Sequence, residues 1–258
     1  MTEIDFFQAT DTGPVRNGNE DSIGAWPHED GLAFAVADGL GGHAAGEVAS
    51  ALALEVLGRE LDRAPGSWDV GKRLRRSVQE ANLAIHGKAI AIPELSGMAT
   101  TVTASVVCGD NLVAAHVGDC RLYLVRGDEV IQLTKDHTWV AEQVQYGLMS
   151  AQAARSHPNR SRLTRCLGMQ LIVGIDVLVI PVQAGDVLVQ MSDGVHAVLE
   201  DATIASVAKT SKPEDACRML IARAIEAGSE DNLSAQVAVV AACTPSSTPR
   251  RRWWHFGR

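Results

Sequence analysis

Three aspartates in this sequence share one local design, an apolar run ending in or leading from Asp beside Gly or Asn. They are Asp38 in Phe34-Ala35-Val36-Ala37-Asp38-Gly39, Asp193 in Val187-Leu188-Val189-Gln190-Met191-Ser192-Asp193-Gly194, and Asp231 in Glu230-Asp231-Asn232 before the last apolar stretch. A fourth, Asp119, follows His116-Val117-Gly118. A carboxylate at the end of a buried strand has a fixed position, and an adjacent Gly lets a carbonyl or a water come close. Singly, each Asp would serve to cap a turn or a helix. If the four converge, their mutual repulsion calls for a hard divalent cation. Carboxylates without His or Cys beside them favour Mg²⁺ or Mn²⁺ over zinc or copper.

Near the N-terminus, Gly13-Pro14-Val15-Arg16-Asn17-Gly18-Asn19-Glu20-Asp21 is rich in turn formers. It also offers one guanidinium, Arg16, suited to a bidentate grip on phosphate, and two acids, Glu20 and Asp21, that could hold a metal-bound water. Leu40-Gly41-Gly42-His43-Ala44-Ala45-Gly46-Glu47 leads into a helix and could receive an anion. The five cysteines are scattered, with no CxxC pair and no nucleophile motif. That leaves zinc binding and a disulfide framework poorly supported, and reduced, buried thiols as the plain reading.

The elements that must hold these residues follow from periodicity. Strands are predicted at 6–12, 21–26 and 32–37, then helices at 45–61 and 70–90. The first helix places Val48, Leu52, Val56 and Leu57 on one stripe. The second buries Leu74, Val78, Ala81 and Ile85 and exposes Lys72, Arg73, Arg75 and Arg76. Strand signals resume at 100–107, 112–117 and 121–126, and a helix interrupted by Gly147 is predicted over 139–156. Strands at 175–182 and 186–191, helices at 201–209 and 213–227, and a last strand at 235–241 complete the domain. Strands in blocks and helices in pairs predict α+β architecture with antiparallel sheets rather than a doubly wound parallel sheet.

The chain has 258 residues, 46% apolar and 21% charged, enough for a large core. A formal charge of −8 argues against a nucleic-acid partner. Residues 1–10 carry Glu3 and Asp5 and lack a secretory pattern, and no apolar run approaches a membrane span, so a cytoplasmic location is expected. Residues 1–243 are expected to form the domain. Residues 244–258, a Pro-Ser-Thr stretch ending in Arg250-Arg251-Arg252-Trp253-Trp254, are expected to form a disordered basic-aromatic tail suited to an anionic membrane surface or an acidic partner.

The ordered set of motifs resembles a family. Arg16 with Asn19-Glu20-Asp21, the run from Val36 to His43, Ala99-Thr100-Thr101, Val117 to Arg121, Leu133-Thr134-Lys135-Asp136-His137, Ser192-Asp193-Gly194 and Glu230-Asp231-Asn232 occur in one order over about residues 5 to 241. Together they are similar to the metal-dependent protein phosphatases, the protein phosphatase 2C-like or PPM family, in its bacterial form. The resemblance implies a four-layer αββα sandwich, two antiparallel sheets flanked by helices, with two Mn²⁺ or Mg²⁺ ions in a cleft at the sheet edges. It implies that Asp38 bridges the ions and the Gly39 carbonyl binds one, with Asp193 and Asp231 completing the first site. It further implies that Glu20 and Asp21 act through waters, that Asp119 helps hold a third ion, and that Arg16 holds the substrate phosphate. His43 is a candidate general acid.

The expected activity is hydrolysis of phosphoserine and phosphothreonine in proteins by a metal-activated water, in a monomer opposing a bacterial Ser/Thr kinase. The competing class, a silent phosphoprotein-binding module, would be marked by missing acids; Asp38, Asp193 and Asp231 are all present. Two features depart from the family pattern: Ala99 stands where Gly is usual, and residues 143–165 contain no Asp or Glu. A third ion would therefore rest on Asp119, Asp193 and waters.

Overall fold

The computed structural model describes residues 2–29, 31–41 and 44–243. The candidate His43 and the tail 244–258 lie outside the described residues. Two antiparallel sheets stack face to face. One has the strand order β1 (Glu3–Asp11), β11 (Leu233–Ala242), β10 (Val187–Met191), β7 (Arg121–Arg126), β8 (Glu129–Gln132). The other runs β2 (Asp21–His28), β3 (Gly31–Leu40), β5 (Val102–Cys108), β6 (Asn111–Val117), β9 (Asp176–Pro181), with the two-residue β4 (Ala99–Thr100) beside the end of β3.

Alternation along β3 explains why it sits centrally. Ala33, Ala35 and Ala37 face the helices α1 (Ala44–Arg63) and α2 (Val70–Ala91), while Phe34 points between the sheets. Phe34, Leu112, Leu122, Leu124, Leu188 and Ala238 fill that middle layer. Helices α6 (Asp201–Thr210) and α7 (Pro213–Glu226) cover the outer face of the first sheet through Ile204, Val207, Leu220 and Ala224. The result is the expected four-layer arrangement. Buried glutamines stitch the sheets together. Gln190 accepts from Ser105 at 2.7 Å and donates to Gln236 at 2.8 Å, and Gln236 reaches the Gly24 carbonyl of the opposite sheet.

Two local expectations change, and one strand is not anticipated. Arg73 is buried rather than exposed, because its guanidinium reaches back to the Leu61 carbonyl at 3.1 Å near the end of α1, where backbone acceptors lack helical partners. Residues 139–156 form two short helices, α3 (Trp139–Gln145) and α4 (Ala151–Arg155), because Gly147 adopts φ 71° and each helix has its own hydroxyl cap, Thr138 and Ser150. Strand β8 escapes periodicity because its four residues alternate between exposed and half-buried, too short a pattern to read.

Candidate active site

The antiparallel register of β2 and β3 sets Asp21 directly opposite Asp38. Two carboxylates facing each other across a ladder repel, and the local structure is built to hold them there. The Asp38 carbonyl accepts the Thr101 N–H and the Thr100 hydroxyl, both at 2.8 Å, and its N–H donates to the Thr101 hydroxyl at 3.0 Å. The Thr-Thr pair therefore clamps the Asp38 backbone on both sides. Thr101→Val should leave that N–H without its acceptor, costing about 1–3 kcal/mol; a Tm equal to the parent's would show that the clamp does not matter. Ala99 lies buried in β4 opposite Leu40, and its methyl displaces none of these contacts.

Glycines are required where segments cross. At Gly39 an added Cβ would run into the carbonyls of Gly46 and Glu20, and at Gly46 it would run into the Glu20 carboxylate. Glu20 is thus wedged between the end of β3 and the first turn of α1. Asn232 straps the N-terminal loop in place: its carbonyl oxygen accepts the Glu20 N–H at 2.9 Å, and its amide donates to Thr12 and Gly18 carbonyls at 2.8 and 2.9 Å. That strap brings Arg16 to Asp231, with Nη2 2.8 Å from Oδ2.

Asp119 stands between β6 and β7 after Gly118, whose φ of 111° admits Gly most readily. His196 holds the Asp119 carbonyl at 2.9 Å, and His137 accepts the Gly118 N–H at 3.1 Å. Asp193 opens the short helix α5 (Asp193–His196) directly after β10.

These elements meet at a cleft of about 290 Å³, lined by Arg16, Glu20, Asp38, Gly39, Asp119, Asp193, Asp231 and Asn232. Asp21 stands just behind, buried, where the Ser192 hydroxyl donates to it at 2.7 Å. Arg16 is the one cation among the described residues lining the cleft. The electrostatic consequence is plain. Burial first, then the neighbouring acids, push the Asp21 carboxyl up to about 7 and hold Asp38, Asp119 and Asp193 above the usual carboxylate range. For Asp38 the acids that contribute are Asp193, Asp21, Asp119 and Asp231.

The donor chemistry fits hard divalent ions. Among the described residues no three His, Cys, Asp or Glu side chains close into a cage around one point. Mg²⁺ and Mn²⁺ do not need one: ions of this type keep several waters and take one or two carboxylates. An open cleft with surplus negative charge meets that requirement, whereas a tight tetrahedral zinc site would not.

Sequence reasoning points to Arg16, Glu20, Asp21, Asp38, Gly39, His43, Asp119, Asp193 and Asp231; the cleft is lined by all of these except Asp21, which lies buried behind it, and His43, which is outside the described residues. That reasoning does not assign Asn232, Ser192, Thr100 or Thr101, which position the acids, nor Ser161 and Leu163, which also line the cleft. The Asn beside Asp231 and the Ser beside Asp193 are the available signals.

A family model described as protein phosphatase 2C matches residues 16–238. The chain belongs to the protein phosphatase 2C family. This 2C-family chain is 34% identical over 230 residues to the serine/threonine phosphatase stp of Listeria innocua, covering 87% of this chain and 91% of that protein. It superimposes on the crystal structure of the Mycobacterium tuberculosis serine/threonine phosphatase PstP/Ppp with a TM-score of 0.85 at 35% identity, covering 93% of this chain and 99% of the other. The catalytic domain of the phosphatase PstP in complex with two manganese ions gives a TM-score of 0.81 at 34% identity, covering 93% and 100% of the two chains.

Proposed function

We propose that this 2C-family protein hydrolyses phosphoserine and phosphothreonine in other proteins, using two Mn²⁺ or Mg²⁺ ions held in the acidic cleft. The observation that carries this reading is the convergence of Asp38, Asp119, Asp193 and Asp231, from four separate segments, on one cleft with Arg16 among its lining residues. Asp38 and the Gly39 carbonyl, with Asp193 and Asp231, would hold the two ions. Glu20 and Asp21 would act through waters, and Asp119 with Asp193 would serve a third. When bound, such ions supply a nucleophile from water at neutral pH and neutralise the phosphoryl oxygens.

The chain's own residues supply position and charge. The Thr100-Thr101 clamp and the Asn232 strap fix Asp38 and Glu20 before any ligand arrives, so little reorganisation remains at the moment of reaction. Arg16, exposed at the cleft and paired with Asp231, has a fork of donors suited to two phosphate oxygens. In the cell such an activity would reverse the work of a Ser/Thr kinase. Among the described residues no helix is long and apolar enough to cross a membrane.

The test is turnover by the Mn²⁺-supplied protein on a phosphothreonine peptide compared with a nucleoside monophosphate. Preference for the peptide is expected, and a preference for the nucleotide would overturn the proposal. Arg16→Ala should raise KM for the peptide roughly tenfold or more while kcat falls less, because a charge-assisted bond of about 1.5–3 kcal/mol is made to ground and transition states alike. An unchanged KM, with unchanged inhibition by inorganic phosphate, would place Arg16 outside the phosphate site.

A further inference from the structure

We infer that the phosphatase carries a subsite for an apolar side chain next to the phosphorylated residue, between the helices α3 and α4 on one side and the segment that joins α5 to α6 on the other. The inference rests on the phosphatase reading above. A second cavity, of about 620 Å³, opens there and shares Asp119, Ser161 and Asp193 with the acidic cleft. A peptide whose phosphate lies among the acids therefore has a neighbouring residue at the mouth of this cavity.

The lining decides what that residue is. Val140, Val144, Ala151, Ala154, Val198 and Leu199 present methyl groups to the cavity. Part of the polar lining is already committed internally, while Lys135, Gln145, Arg155, Arg160 and Glu200 also stand in the wall. Arg121 holds Asp136 through two nitrogens at 2.7 and 3.0 Å, and Gln132 donates to the same carboxylate at 3.0 Å. Asp201 accepts the Tyr123 hydroxyl at 3.1 Å, and the Thr138 hydroxyl caps α3 through the Ala141 N–H. A polar side chain set against these methyl groups would lose its hydration there, whereas an apolar one would exchange water for methyl contacts.

The position of the wall is fixed independently of its lining. Trp139 N–H donates to the Arg162 carbonyl and Thr164 N–H to the His137 carbonyl, both at 2.8 Å, closing the segment that carries α3 and α4 into a loop with paired stems. The cavity is thus part of the folded scaffold, preformed rather than assembled on contact.

The test uses the Mn²⁺-supplied protein and phosphothreonine peptides in which one Leu replaces Ser at each position from two before to two after the phosphothreonine. One position should raise kcat/KM about tenfold over the all-Ser peptide, within the range that apolar pockets discriminate. Val144→Trp on α3, and separately Ala151→Trp at the start of α4, should bring that Leu-to-Ser ratio down to about one, as expected when the space is filled. Two variants on different helices guard against one failing to fold. Equal rates on every peptide, or a ratio that survives both variants, would overturn the subsite alone. If the parent cleaves no phosphopeptide while hydrolysing p-nitrophenyl phosphate, the protein-phosphatase reading falls and the subsite with it.

Discussion

Replacing Asp38 with Asn should lower turnover on a phosphothreonine peptide by about a thousandfold or more. Asp38 lies on a central strand, faces Asp21 across the ladder and lines the cleft with Asp119, Asp193 and Asp231. Losing its charge weakens the hold on both proposed ions, whose contribution to transition-state charge is worth several kcal/mol, and each 1.36 kcal/mol is a factor of about ten. The amide is nearly the same size as the carboxylate, and the backbone clamp from Thr100 and Thr101 does not involve the side chain. The fold should therefore survive. In chelator the variant should melt at or above the parent, because one of several repelling buried charges is gone. Wild-type kcat in Asp38→Asn would remove Asp38 from the site; a chelated variant that is unfolded would show that its charge has a structural role.

Chelation is the second large effect. Activity should fall to background in excess EDTA and return with Mn²⁺, and turnover that persists in metal-free buffer would end the proposed mechanism. The same titration carries a stability signature. At a hundred times its dissociation constant an ion adds about 2.7 kcal/mol, which for a chain of this size raises Tm by about 5–10 °C. The pH dependence without metal has a definite sign. The Asp21 carboxyl titrates at about 7 in the folded protein against 3.8 for an unperturbed aspartate, so the native state binds more protons than the unfolded state across that interval. Stability of the chelated protein must then fall as pH rises from about 4 to about 7. Asp38, Asp119 and Asp193 are displaced in the same direction. Metal binding releases those protons, so the gain in Tm on adding Mn²⁺ should grow with pH over the same interval. A chelated Tm that climbs with pH there would contradict the charge distribution of the cleft.

The acids are legible in the sequence because each follows or precedes an unusually apolar run, a pattern that survives without tertiary information. Asp38 and Asp193 are clear examples, and the glycines after them mark where backbone must approach. The supports are legible only as neighbours of the acids. Ser192 reaches Asp21 across 171 positions and Asn232 reaches Glu20 across 212, and a place beside Asp193 or Asp231 does not tell which distant group each one holds. Arg73 misleads for a related reason. Its spacing puts it on the polar side of α2, yet its long side chain lies buried against the end of α1. The break between α3 and α4 is half visible, since Gly147 marks an interruption but not that it ends one helix before a second, separately capped one begins.

The neighbour relations of the first sheet bear on how the protein is made. β1, the first strand of the domain, pairs along its whole length with β11, the last, and β11 also pairs with β10. No stretch of the domain that stops short of Leu233 contains both strands of that ladder, and none that stops short of Asp231 carries the partner of Arg16 or the Asn232 strap. Strand closure across so many residues is slow by nature, because loop-closure entropy precedes any gain from the contact. On a ribosome β1 must wait, unpaired, until nearly the whole domain has emerged. Arg16 and Asp231 can therefore meet only when nearly the whole domain is available, so activity is expected to arrive with the finished domain rather than in steps.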